Sequence, residues 1–291
     1  MDALKQRIKE HYDGCSPSYQ SLWGPHIHHG LWRPGQESLS KEEAQIVLVD
    51  EMIRAAKLRP KSKVLDVGCG VGGTSIKLAS ELGCDVTGVS LSPVQIGMAK
   101  ENLAKMAPGV SVRFLEMDGE KLDFPGEDGT FDAVWISEAL SHFPNKELFF
   151  MHALRLLKPG GKWVCVDWFK ADNLGPALLN GVIADIERGM LLPPIRTVAD
   201  YVAMFTSAGG RILFVDDISA ETAKTWDSAF SRHGDALNST FFSTPAPPPP
   251  PHASSTHTIA PLGPHTNNRS LPRPHWRQDE LSVGARHVDG L

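Results

Sequence analysis

The stretch Lys63–Ser75, KVLDVGCGVGGTS, permits few folds. Val64, Leu65 and Val67 form a short apolar run rich in β-branched residues, as expected of a strand buried on both faces of a parallel sheet. Gly68, Gly70, Gly72 and Gly73 crowd the turn that follows, and Thr74 opens a helical pattern through Ile76, Leu78, Ala79 and Leu82. Strand, glycine turn and helix make a cradle at the carboxyl edge of a sheet. There the backbone can approach a ligand closely and the helix start offers unpaired N–H groups. The stretch predicts a nucleotide-like cofactor site.

The spacing of Gly68, Gly70 and Gly73 also satisfies the dinucleotide pattern G-x-G-x-x-G. Two residues point elsewhere. Asp66 ends the strand two residues before the first glycine, where its carboxylate suits a cationic amino acid moiety and repels a pyrophosphate. The second strand, 86–90, ends in Ser90 and not in the acid that would hold an adenosine ribose. A turn-capping role for Asp66 is the competing reading. VLDVGCGVGG resembles the first motif of class I S-adenosylmethionine (SAM) methyltransferases. That resemblance implies that Asp66 with Gly68, Gly70 and Gly72 holds the methionine part of SAM.

The chain has 291 residues, a formal charge of −5 and 41% hydrophobic residues, enough for a core but without the basic footprint of a nucleic-acid enzyme. No apolar run approaches the ~20 residues that span a bilayer. MDALKQRIKEHYD has no apolar signal core, and Cys15, Cys69, Cys84 and Cys165 form no CxxC pair, so a cytoplasmic protein with reduced thiols is expected.

Residues 1–12 read as a short helix, followed by the aromatic and histidine-rich segment 12–32, YDGCSPSYQSLWGPHIHHGLW. A metal site from His26, His28 and His29 is set aside, because adjacent histidines point apart on an extended chain and no carboxylate lies among them. The segment resembles the lid of the γ-tocopherol methyltransferase-like group. By that resemblance Tyr19, Trp23, His28 and Trp32 close over the cofactor and line the acceptor pocket.

Helices are expected over 40–58, after Ser92-Pro93, over 145–157, 176–190 and 198–208, and from Glu221. Strands are expected over 86–90, 112–117, 131–137, 163–168 and 212–218. This order implies an α/β fold, a doubly wound and mostly parallel sheet. The string GVSLSPVQ resembles the group's second-strand signature, which implies that Leu91 packs on adenine and Gln95 binds ribose hydroxyls. An exposed helical glutamine is the other reading of Gln95. In the same class an acid after the third strand bonds the adenine amino group, which nominates Asp118, with Gly119 beside it.

From Ser231 the periodicity ends, and 10 of the 22 prolines fall in the remainder. The chain therefore reads as a methyltransferase domain over 1–230, with a helical lid segment over 1–60, and a disordered low-complexity tail over 231–291. The class places an antiparallel seventh strand between the fifth and sixth, and only 281–288, LSVGARHV, could supply it here. The seventh strand is expected to be missing.

Methyl transfer from a sulfonium needs donor and acceptor held in line and, for some acceptors, a base. The loop SEALSHFP over 137–144 lies where acceptors bind and supplies Glu138 and His142 as the candidate catalytic residues. His142 reads equally as a general base or as a structural, helix-capping histidine. Ser141 stands where relatives carry Glu, which leaves N-, O- or activated aromatic C-methylation open. The expected activity is methyl transfer from SAM to a small-molecule acceptor, with no nucleic acid, membrane span or protein partner implied. A non-catalytic SAM-binding protein is the alternative; a NAD-dependent dehydrogenase is disfavoured by Asp66 and Ser90.

Overall fold

A computed structural model describes residues 3–226 and 281–283. The chain opens with helices α1 (Ala3–Trp23) and α2 (Lys41–Ala56). Strands β1 (Lys63–Val67), β2 (Asp85–Ser90) and β3 (Val112–Glu116) alternate with helices α3 (Gly73–Leu82) and α4 (Pro93–Met106). Next come β4 (Phe131–Ser137), α5 (Lys146–Leu156) and β5 (Leu157–Val166). The five strands form one parallel sheet in the order β3-β2-β1-β4-β5. This is the doubly wound α/β architecture, reversing direction between β1 and β4 where such sheets bind ligands.

Strand alternation assigns the core to two faces. Leu65, Val67, Val134 and Ile136 pack with Phe149, Phe150 and Ala153 of α5 on one face. Val64, Val86, Ala133 and Trp135 pack with Leu48, Val49 and Met52 of α2 and Leu78 of α3 on the other. Asp66 is in register with Val64 and faces the α2/α3 side. Helix ends are fastened by side chains: Ser40 forms a capping box with Glu43, and Ser92 accepts from the Gln95 backbone.

Four expectations change. The first helix runs on through Pro17 to Trp23, because residues at three- and four-residue spacing (Ile8, Ser16, Tyr19, Trp23) are buried along one side. The fifth strand begins at Leu157, and the Lys158–Gly161 turn is taken up as an irregularity in its pairing with β4. Residues 212–218 do not form the sixth strand. Only an isolated bridge at Asp217 is present, and Leu213 and Phe214 are 50% and 42% exposed. A groove of about 590 Å³ lies between this stretch and β5, and no strand pairing joins the two. Finally, β6 (Trp168–Lys170) pairs antiparallel with β7 (Leu281–Val283), three residues of the expected tail. The rest of that tail lies outside the described residues. Helix α6 (Val198–Ser207) covers β5 and α5 through Tyr201 and Phe205.

Candidate active site

The carboxyl edge of the sheet holds two adjoining cavities. The first, about 120 Å³, is walled by the β1 turn (Gly68, Gly70), the end of β2 (Ser90, Leu91), Gln95 of α4, the turn after β3 (Asp118, Gly119, Glu120) and the loop after β4 (Glu138, Ala139, His142, Phe143). Helix α1 closes it with Lys5, Ile8 and Tyr12. The glycine turn is built for close approach. At Gly70 (φ +52°) an added Cβ would meet nothing within 4 Å, leaving that backbone bare toward the cavity.

Ser90 donates to Gln95 Oε1 at 2.7 Å and accepts from the Ser92 backbone at 3.2 Å, so the sequence residues of the β2–α4 turn form one rigid wall. Asp118 accepts from Lys5 Nζ at 2.9 Å and 3.2 Å and from the Glu120 backbone at 3.1 Å. Lys5 also pairs with Glu120, and Lys9 bonds the Leu91 carbonyl at 3.1 Å and Glu116 at 2.7 Å. Asp13 accepts from Ser92 Oγ at 2.5 Å. These contacts fasten α1 across the cavity mouth; of the segment 12–32, residues 12–23 are helical and 24–32 are irregular.

Two nominated cofactor residues stand behind this cavity. Gly72 (φ +88°) does not line it: an added Cβ would lie 2.8 Å from Phe114 and 2.9 Å from Ala99, so this glycine permits helix packing. Asp66 is 2% exposed and accepts from Ser75 Oγ at 2.6 Å. Strand alternation turns it toward α3, beneath the glycine turn, and burial pushes its carboxyl up to about 6.

The second cavity, about 60 Å³, is aromatic. Tyr12, Tyr19, Trp23, Trp168 and Trp226 line it together with His28, His29, Glu138 and His142. Tyr19 and His28, expected at the cofactor, therefore line this second cavity. Tyr12, Ile27, Glu138 and His142 belong to both.

Glu138 is the fixed point of the junction. Its backbone holds φ +51°, sparsely populated for a side-chain-bearing residue. Its carboxylate accepts from the His29 backbone at 2.8 Å, from His29 Nδ1 at 2.7 Å and from Trp168 Nε1 at 3.1 Å. Burial opposes the charge, but the histidines and these donors hold the carboxyl down at about 2. A carboxylate so committed and so weakly basic ties the His29 segment to the loop after β4. His142 Nε2 lies 2.8 Å from the Tyr12 hydroxyl, and burial lowers its pKa to about 3. Its remaining atom, Nδ1, is buried without a hydrogen-bond partner. Trp23 Nε1 and His28 Nε2, in the same cavity, are likewise unpartnered. The single-sequence pattern did not single out Trp168 or Tyr12, which lie in the chain far from the loop they meet. Among the described residues no group of three or more His, Cys, Asp or Glu could hold a metal ion.

Residues 64–161 match the family described as a methyltransferase domain. Tocopherol O-methyltransferase of Arabidopsis thaliana, described as chloroplastic, is 32% identical over 240 residues, covering 77% of this chain and 68% of its own. The 27-O-demethylrifamycin SV methyltransferase of Amycolatopsis mediterranei (strain S699) is 32% identical over 229 residues, covering 77% and 81%. This chain belongs to the SAM-dependent methyltransferases. Among solved structures, the cyclase SpnF superposes with a TM-score of 0.69 at 26% identity, covering 81% of this methyltransferase and 84% of that chain. The residues present fit SAM. A bare glycine backbone, polar groups at the end of β2 and in the turn after β3, and His142 line one cavity, and SAM bound there would supply a methyl group on a sulfonium. No described helix of the methyltransferase is long and apolar enough to cross a membrane.

Proposed function

We propose that this enzyme methylates oxygen or nitrogen on a small molecule whose reacting end enters the aromatic cavity. The observation that carries this reading is the shared wall of Tyr12, Ile27, Glu138 and His142, which sets an aromatic chamber directly against the cofactor chamber. Holding the acceptor there against the donor supplies rate through orientation. Tyr12, Trp168 and Trp226 offer flat faces that suit an acceptor ring. A heteroatom acceptor is favoured because Glu138, the anion of the chamber, is already satisfied by His29 and Trp168 and is poorly placed to neutralise a carbocation. In the cofactor chamber, Gln95 and Asp118 would hold the adenosine hydroxyls and base edge, with Leu91 and Gly119 against the ring.

The test is incubation of the purified chain with methyl-labelled SAM and a panel of phenols, alcohols and amines, with products identified by mass spectrometry. Label should enter an O- or N-methyl product. SAM and S-adenosylhomocysteine binding without transfer to any acceptor would support the non-catalytic alternative; binding of NAD instead would end the reading. The unpaired cysteines fit a reducing, cytoplasmic setting, checked by imaging a fluorescent fusion. A domain boundary near residue 230 predicts that limited proteolysis trims the chain to a core ending there.

A further inference from the structure

His28 has an identity and a setting that the cofactor role does not use. Its side chain is 5% exposed and lines the aromatic cavity. Its Nδ1 lies 2.8 Å from the His29 carbonyl oxygen. A carbonyl only accepts, so Nδ1 carries the hydrogen, and in the neutral ring Nε2 is a bare lone pair. Burial keeps the ring neutral by lowering its pKa below the ordinary 6.5. That Nε2 is buried and has no partner within the protein. Of the cavity's other histidines, His142 has its Nε2 engaged by Tyr12 and His29 its Nδ1 by Glu138.

The setting also suits a transient positive charge. The Glu138 carboxylate interacts favourably with a protonated His28, while His29 and Lys41 oppose it. Lys41 is turned away, its Nζ donating to the Leu22 and Trp23 carbonyls at 3.2 Å and 2.8 Å. His26, on the same segment, packs ring to ring with His28 at 5.3 Å, and burial lowers its pKa to about 3, so it adds no charge near neutrality. The backbone is pinned from α2: Gln45 Nε2 donates to the His26 and His28 carbonyls at 2.6 Å and 2.9 Å. The imidazole is thus fixed in place and in tautomer, as a proton acceptor must be.

We propose that His28 Nε2 is the general base that takes the proton from the acceptor's hydroxyl or amine. The inference deepens the methyltransferase reading and rests on it. The acceptor heteroatom forms the new bond to the methyl carbon, the S–C pair stays on sulfur, and the O–H or N–H proton passes to Nε2. The imidazolium so formed is favoured by the field of the Glu138 carboxylate and returns its proton to solvent when product leaves.

The experiment uses the full chain with S-adenosylhomocysteine, histidine labelled with nitrogen-15, and para-cresol with its methyl ether as probes. Nitrogen NMR should show His28 as the Nδ1–H tautomer, and para-cresol, which can donate a hydrogen bond, should shift its Nε2 resonance while the ether does not. With SAM and para-cresol, His28→Phe should lower turnover about 10²–10⁴-fold. His28→Gln, which keeps an accepting oxygen, should hold KM within a few-fold while turnover falls. An Nε2–H tautomer, read before any probe is added, overturns the proposal, as does failure of para-cresol to move the Nε2 resonance. Unchanged methylation by His28→Phe removes His28 as base and leaves the methyltransferase reading standing. Failure of the native chain to bind S-adenosylhomocysteine removes that reading itself.

Discussion

Replacing Glu138 by Gln tests the junction of lid and loop with little change in shape. The carboxylate accepts three hydrogen bonds, at 2.8, 2.7 and 3.1 Å, with its side chain only 8% exposed. The amide keeps one oxygen, but its nitrogen then faces N–H donors and leaves buried groups unpaired. The unusual φ is present in both proteins and cancels. The carboxyl is held at about 2 against an ordinary 4.5, a difference equivalent to about 3 kcal/mol of stability at neutral pH. A depressed carboxyl binds fewer protons in the folded than in the unfolded chain. Its stabilisation is therefore present above about 4.5 and lost as pH falls toward about 2. In urea at pH 7 the variant should be less stable by about 3 kcal/mol, or about 6–12 °C in Tm for a chain of this size. By pH 4 the gap should narrow by about 1 kcal/mol. A gap below about 0.5 kcal/mol at pH 7, or one that is the same at both pH values, refutes the ionised anchor.

Asp66→Asn should raise the Tm of the unliganded chain at pH 7–8 while weakening SAM binding about tenfold or more. Its carboxyl is pushed up to about 6, so the folded chain loses stability as pH rises from about 4 to 6, and the amide removes that cost while still accepting from Ser75. Asp85→Asn, an exposed control, should leave calorimetric SAM affinity unchanged; equal dissociation constants for the two variants would remove Asp66 from the site. Gly72→Ala should destabilise the fold by collision with Phe114 and Ala99, whereas Gly70→Ala should fold with a penalty of about 1–2 kcal/mol and bind SAM poorly. Thermal unfolding with and without S-adenosylhomocysteine separates those two effects. His142→Gln retains an acceptor for the Tyr12 hydroxyl and should keep turnover within about tenfold of native, short of the 10²–10⁴ expected for loss of a base.

Local sequence carried the central sheet well. The β-branched run at Val64–Val67, the glycines after it and the Ser92-Pro93 helix start are short-range signals, and each forms the element it implies. The stretch 212–218 has the same apolar look, yet a strand exists only if another strand lies within hydrogen-bonding distance, and here a groove intervenes. Pro17 lacks an N–H and costs α1 one backbone hydrogen bond, but burial of Tyr19 and Trp23 against the core outweighs that loss. That the Gly68–Gly70 backbone, Ser90, Leu91, Gln95, Asp118 and Gly119 gather round one cavity was legible, because each sits at or soon after the end of a strand. The contacts of Glu138 and the tautomer of His28 were not. They depend on pairing between residues 109 positions apart and on which ring nitrogen faces a carbonyl, neither of which leaves a trace in spacing.

The way α1 is fastened has a kinetic consequence. Lys5 is bound to Asp118 and Glu120, and Lys9 to Glu116, where α1 covers the first cavity. Lys9 and the half-exposed Glu116 meet near solvent, where a physiological Debye length of about 8 Å screens them, while the buried Lys5 cluster feels salt much less. Rising ionic strength should then weaken the Lys9 contact before the Lys5 cluster. Ligand exchange would speed up with salt faster than equilibrium affinity declines, making residence time, more than occupancy, the property that the charges of this helix control.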